Sequence, residues 1–139
     1  NIKAKAVRIR NLELNLKSNT AGYWWKVNTF KMADPGQMNA TFMYTDTWGI
    51  YQGTVDNLTD GDSSTALDFS TSGDTTRKGD YIGWDLGKET AIGKVYAVIG
   101  GNRSADKPTS GEVLLNGKNI VYNTLMTTKT GLLIKHIKV

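Results

Sequence analysis

The chain has 139 residues, a formal net charge of +4 and no cysteine. That length supports one domain with a substantial apolar core, and the missing cysteines exclude a disulfide frame, thiolate metal sites and a thiol nucleophile. Basic residues are scattered among acidic ones, which speaks against a nucleic-acid partner, and no run reaches the ~20 apolar residues of a spanning helix, which speaks against membrane insertion. The chain begins at Asn1 and reads as a piece of a longer or processed protein.

Residues 1–16 alternate in polarity with one slip. Ile2, Ala4 and Ala6 share a face, Val7 and Ile9 take the other, and Leu12, Leu14 and Leu16 return to the first. This is strand pattern with a bulge or break near Asn11. After a loop over 17–22, an aromatic strand is expected over 23–32, with Trp25, Tyr23 and Val27 facing inward. Ala33-Asp34-Pro35-Gly36-Gln37 is the best boundary in the chain. It separates 1–32 from 38–139 within what is expected to be a single domain, 1–139.

Residues 38–54 read as short strand pieces and loop, and Thr47-Trp48-Gly49-Ile50-Tyr51-Gln52-Gly53 sets the aromatics Trp48 and Tyr51 among glycines so that an aromatic face can meet solvent. Trp48 is open between a core position and an exposed platform. The next run, Asn57-Leu58-Thr59-Asp60-Gly61-Asp62-Ser63-Ser64-Thr65, suits neither helix nor strand. Asp-Gly favours a turn, and Asp and Ser side chains bond their own backbone two residues on. The same oxygens at Asp60, Asp62 and Thr65 form a ligand set for a hard cation such as calcium. Both readings, capped turn and cation site, stay open.

Residues 70–78 are polar and are expected to be loop. In 80–88, Ile82, Trp84 and Leu86 alternate with Gly83, Asp85 and Gly87, a half-buried strand with Trp84 in the core. Residues 92–99 are apolar on both faces, as in a central strand. A long polar loop covers 100–111. Asn116-Gly117 between two strand segments is a hairpin signal, and a last strand covers 132–139. No apolar 3.6-residue spacing outlasts one turn, so no helix is expected. The class is all-β, a jelly-roll or Greek-key β-sandwich.

Reactive machinery is sparse. The single histidine, His136, has no nearby carboxylate in sequence, so a nucleophilic triad lacks support, and one histidine does not make a zinc site. Gly100-Gly101-Asn102-Arg103 follows a strand, but no helix follows to cradle a phosphate. The chain reads as a non-catalytic binding module.

Trp48-Gly49-Ile50-Tyr51-Gln52-Gly53, the run 57–65, Gly79-Asp80-Tyr81-Ile82-Gly83-Trp84-Asp85-Leu86-Gly87-Lys88, Ile92-Gly93-Lys94-Val95 and Gly101-Asn102-Arg103 stand in an order that resembles the discoidin, or coagulation factor type C, superfamily. The closest subset is the family 32 carbohydrate-binding modules of bacterial glycoside hydrolases. The resemblance spans about residues 40–120 and is specific as a series. It implies a galactose-binding-domain-like jelly roll, a structural calcium, an extracellular or cell-surface bacterial location, and a glycan site in loops that tethers a linked catalytic domain. Two departures stand out. The closing strand pair of the family resembles 4–30 here, so the fold is either circularly permuted or preceded by a repeat, and one closed domain is the favoured choice. The family's acidic calcium ligand falls at about Thr29.

A sugar offers an apolar C–H face and a rim of hydroxyls. The candidate rings are Trp48, Tyr51 and Trp24, and the candidate polar groups are Asn102, Arg103 and Asp106. In the resembling modules an arginine after the central strand grips sugar hydroxyls, and Arg103 falls at that place. The family's usual loop histidine is missing, which leaves a structural accessory sandwich without sugar binding as the alternative. Adhesion through apolar loop spikes ranks third, because the loops carry few of them.

Overall fold

Alternating apolar residues need a second layer to cover them. In the computed structural model two antiparallel five-stranded sheets supply it to each other. The structure describes residues 2–19, 22–32, 39–92, 94–100, 108, 110–115, 118–124 and 133–138. The strands are β1 (Ile2–Asn11), β2 (Asn15–Leu16), β3 (Trp25–Met32), β4 (Thr41–Tyr44), β5 (Gly49–Gln52), β6 (Leu67–Ser70), β7 (Thr75–Thr76), β8 (Tyr81–Ile92), β9 (Lys94–Ile99), β10 (Gly111–Leu115), β11 (Lys118–Thr124) and β12 (Leu133–Lys138). One sheet has the order β11-β10-β1-β8-β4, the other β12-β9-β3-β6-β5, and β2 and β7 form a small ribbon. No α-helix occurs among the described residues; three short 3₁₀ turns do. None of the described helical segments is long and apolar enough to cross a membrane. The architecture is all-β with sandwich-like antiparallel sheets.

The N-terminal strands lie inside these sheets. β1 is hydrogen-bonded between β10 and β8, and β3 between β9 and β6. The slip in β1 sits between Ala4 and Ala6, earlier than the Asn11 position expected from the sequence. One extra residue there lets Ala4 and then Val7 and Ile9 all point inward despite their opposite parity. β3 repeats the device. Its register shifts between Val27 and Thr29, so Trp25 and Val27 before the shift and Phe30 and Met32 after it all join the core.

Asn11 ends β1 for a local reason. Its side-chain amide donates to the carbonyls of Glu13 and Arg77 and ties the chain into a corner there. Leu14, expected to continue the strand face, is therefore left exposed. The core is aromatic where the sheets meet. Phe42 of β4 stacks on Phe69 of β6 with ring centroids 6.1 Å apart. Trp84 of β8 reaches across to donate its indole N–H to the Phe30 carbonyl at 2.9 Å. The hairpin β10–β11 forms as its sequence suggested; its turn residues, the Pro35 boundary and the side chain of His136 lie outside the described residues.

Candidate functional site

The face of β3, β6 and β5 turned away from the core carries the exposed aromatics. Because Trp25 and Phe69 are an inward cross-strand pair, the next pair, Lys26 and Asp68, points outward. The same alternation sends Trp24 and Ser70 outward, and Gly49 of β5 pairs with Ser70. In β5 the register slips between Ile50 and Gln52, leaving Tyr51 as the extra residue. Tyr51 is 65% exposed, and its ring meets that of Trp24 at a centroid distance of 5.7 Å and an interplanar angle of 43°. Tyr23 touches the same indole at 6.0 Å.

The segment 22–24 is held in place by the stretch expected to be plain loop. The buried hydroxyls of Thr71 and Thr76 donate to the carbonyls of Tyr23 and Gly22, at 2.5 and 2.6 Å. Thr75 and Thr76 are β7, paired with Asn15 and Leu16 of β2. The ribbon brings Lys17 to Asp74, with Nζ 3.4 Å from Oδ2. The other oxygen of Asp74 accepts the Trp24 indole N–H at 3.0 Å. Gly73 and Asp74 both have left-handed backbone, φ 61° and 53°. Glycine adopts this freely; aspartate tolerates it when its surroundings fix it. Here the ribbon and the 3₁₀ turn at Ser72–Asp74 do so. Lys17, Asp74, Trp24 and Tyr51 thus form one chain of contacts along the sheet surface.

A second polar knot closes the 53–66 loop. Asp60 Oδ1 accepts the Asp62 N–H at 2.8 Å, and Asp62 Oδ1 accepts both the N–H and the hydroxyl of Ser64, at 2.9 and 2.6 Å. The Ser64 hydroxyl first, and its N–H second, hold the Asp62 carboxyl below the ordinary carboxylate value. Both carboxylates therefore cap turns. The hydroxyl of Thr65 is in a different situation. It lies 2.6 Å from Asp60 Oδ2, 2.9 Å from the Asp62 carbonyl and 3.4 Å from that of Asn57. A hydroxyl has one proton to donate, so three acceptor oxygens surround a single donor. A hard cation suits such a cluster of oxygens. The side chain of Asp62, a candidate ligand from sequence, is instead committed to Ser64, and its carbonyl faces the cluster. Asn28, beside Thr29, donates to the Thr65 carbonyl at 3.3 Å.

Of the other sequence candidates, Trp48 is 5% exposed and packs edge-on against Trp25 with centroids 5.2 Å apart. It is a core residue, packed also against Phe69 of β6 with ring centroids 5.5 Å apart. An exposed platform at Trp48 is thereby excluded. Trp84 and Trp25 are core as expected, whereas Tyr23 is half-buried. Asn102, Arg103 and Asp106 lie outside the described residues. Sequence reasoning missed Asp74 and Lys17. The Gly73-Asp74 pair was a turn signal, but nothing local said which indole the carboxylate would meet. No protein-family model, no curated protein and no solved structure matches this chain.

Proposed function

We propose that the protein is a non-catalytic carbohydrate-binding module, of the discoidin-like jelly-roll kind, that tethers a linked secreted glycoside hydrolase to glycans. The observation that supports this reading best is the solvent-facing pair Trp24–Tyr51, held from behind by Asp74, Thr71 and Thr76. Preorganised rings lose little conformational freedom on binding, and an aromatic face complements the C–H face of a pyranose. Asn102 and Arg103, together with Asp106, are the polar partners proposed from the sequence for the sugar's hydroxyl rim. Tethering then raises the effective concentration of the catalytic domain at its substrate.

In this reading the loop at 57–65 holds a structural calcium through the Asp60 carboxylate, the Thr65 hydroxyl and the carbonyls of Asn57 and Asp62. The convergence of these oxygens supports it. The ion would supply positive charge that lets the oxygens approach one another, and no chemistry beyond that.

A glycan array probed with the labelled protein, Tyr51→Ala and Arg103→Ala tests the function. The parent should bind a discrete set of glycans, and each substitution should weaken that signal. A parent that binds none of them refutes the module reading.

A further inference from the structure

The pair Trp24–Tyr51 also carries information about the shape of its ligand. Its centroid spacing of 5.7 Å is about the length of one sugar unit in a chain, so the two rings suit two consecutive pyranoses better than one. Their planes are 43° apart. A flat β-1,4-linked ribbon rests on coplanar rings; tilted rings fit a chain whose successive units turn against each other.

The surroundings add two constraints. Beside the rings Lys17 lies on Asp74 and Lys26 stands opposite Asp68, so the charges there come in pairs; Lys31, further along the outer face of β3, leans over the ring of Tyr96. Gly49, opposite the outward-facing Ser70, carries no side chain on this face.

We infer that the outer face of β3, β6 and β5 binds two consecutive units of a neutral, curved oligosaccharide, of the α-1,4-linked glucan type. The inference rests on the carbohydrate-binding reading and places the ring contacts on the sheet face.

Isothermal titration of the whole chain with glucose, maltose, maltotriose, maltohexaose and cellohexaose tests it. Affinity should rise about fivefold or more from glucose to maltose, the gain from one additional ring contact, and change little beyond maltotriose. Maltohexaose should bind more tightly than cellohexaose. Tyr51→Ala should remove the gain from the second unit, and Tyr51→Phe should retain it. The exposed position of Tyr51 leaves folding intact, which a melting curve checks. Equal affinity for glucose and maltose, equal affinity for the two hexaoses, or an unaffected Tyr51→Ala overturns the inference. If a different glycan binds on the array while this series is silent, the inference fails and the module reading stands. If nothing binds in either experiment, the module reading itself has failed.

Discussion

Gly53 offers a direct test of how closely the 53–66 loop is packed. Its backbone has φ +89°, and a Cβ there would lie 2.1 Å from the Ala66 carbonyl oxygen and 3.2 Å from the Asn57 amide nitrogen. Gly53→Ala therefore costs twice. The left-handed conformation costs an alanine about 1–2 kcal/mol. The clash is with backbone that cannot rotate away, and relieving it by displacement costs about 1–3 kcal/mol more. It also strains the Asn57 side-chain bond to Ala66, now 2.9 Å. Gly61 is the internal control. Its φ is +78°, yet a Cβ there meets nothing within 4 Å. Gly61→Ala should lose about 1–2 kcal/mol, and Gly53→Ala about 2–5 kcal/mol. Urea unfolding followed by tryptophan fluorescence reads the difference, with an unchanged denaturant slope confirming that the folded state is what changed. Equal losses for the two variants would refute the close approach of residue 53 to Ala66.

Further outcomes follow from the same geometry. Trp84→Phe removes a donor from the Phe30 carbonyl, whereas Trp48→Phe removes an indole N–H that has no partner, so the former should destabilise by about 1–3 kcal/mol more in thermal unfolding. Because Ser64 lowers the folded-state value of Asp62 beneath the unfolded one, the contribution of that capping is complete above the unfolded carboxylate range. It disappears as pH falls through the lowered folded value. Protection of the Ser64 amide, taken against its intrinsic exchange rate, should accordingly fall in acid, and Asp62→Asn should remove that acid dependence. Calcium at about a hundred times its dissociation constant should stabilise the chain by about 2.7 kcal/mol, and Asp60→Asn should abolish the rise in melting temperature. Asp74→Ala loses an exposed ion pair worth at most about 1 kcal/mol and puts alanine at φ 53°, at a further cost of about 1–2 kcal/mol; it should also shift the tryptophan emission and weaken glycan binding.

The strand content and the core were written locally. Period-two alternation placed Ile82 and Trp84 in the interior, and Asn116-Gly117 fixed a hairpin between β10 and β11, because alternation and turn chemistry act within a few residues. The parity changes within β1 and β3 were visible only as irregularities. Their positions depend on which partner strand absorbs the extra residue, and that is a property of the assembled sheet.

The binding surface divides along the same line. The sequence by itself supplied Trp24 and Tyr51 as aromatics in polar settings, and Asp60, Asp62 and Thr65 as clustered oxygens, since residue type and spacing suffice for that. Only the tertiary structure sent Trp48 into the core while turning Tyr51 outward. That choice depends on the register of β5 on β6 and its slip at Tyr51. Only the tertiary structure, likewise, brought Asp74 to the indole of Trp24, fifty residues away, because that contact requires β2 and β7 to pair first.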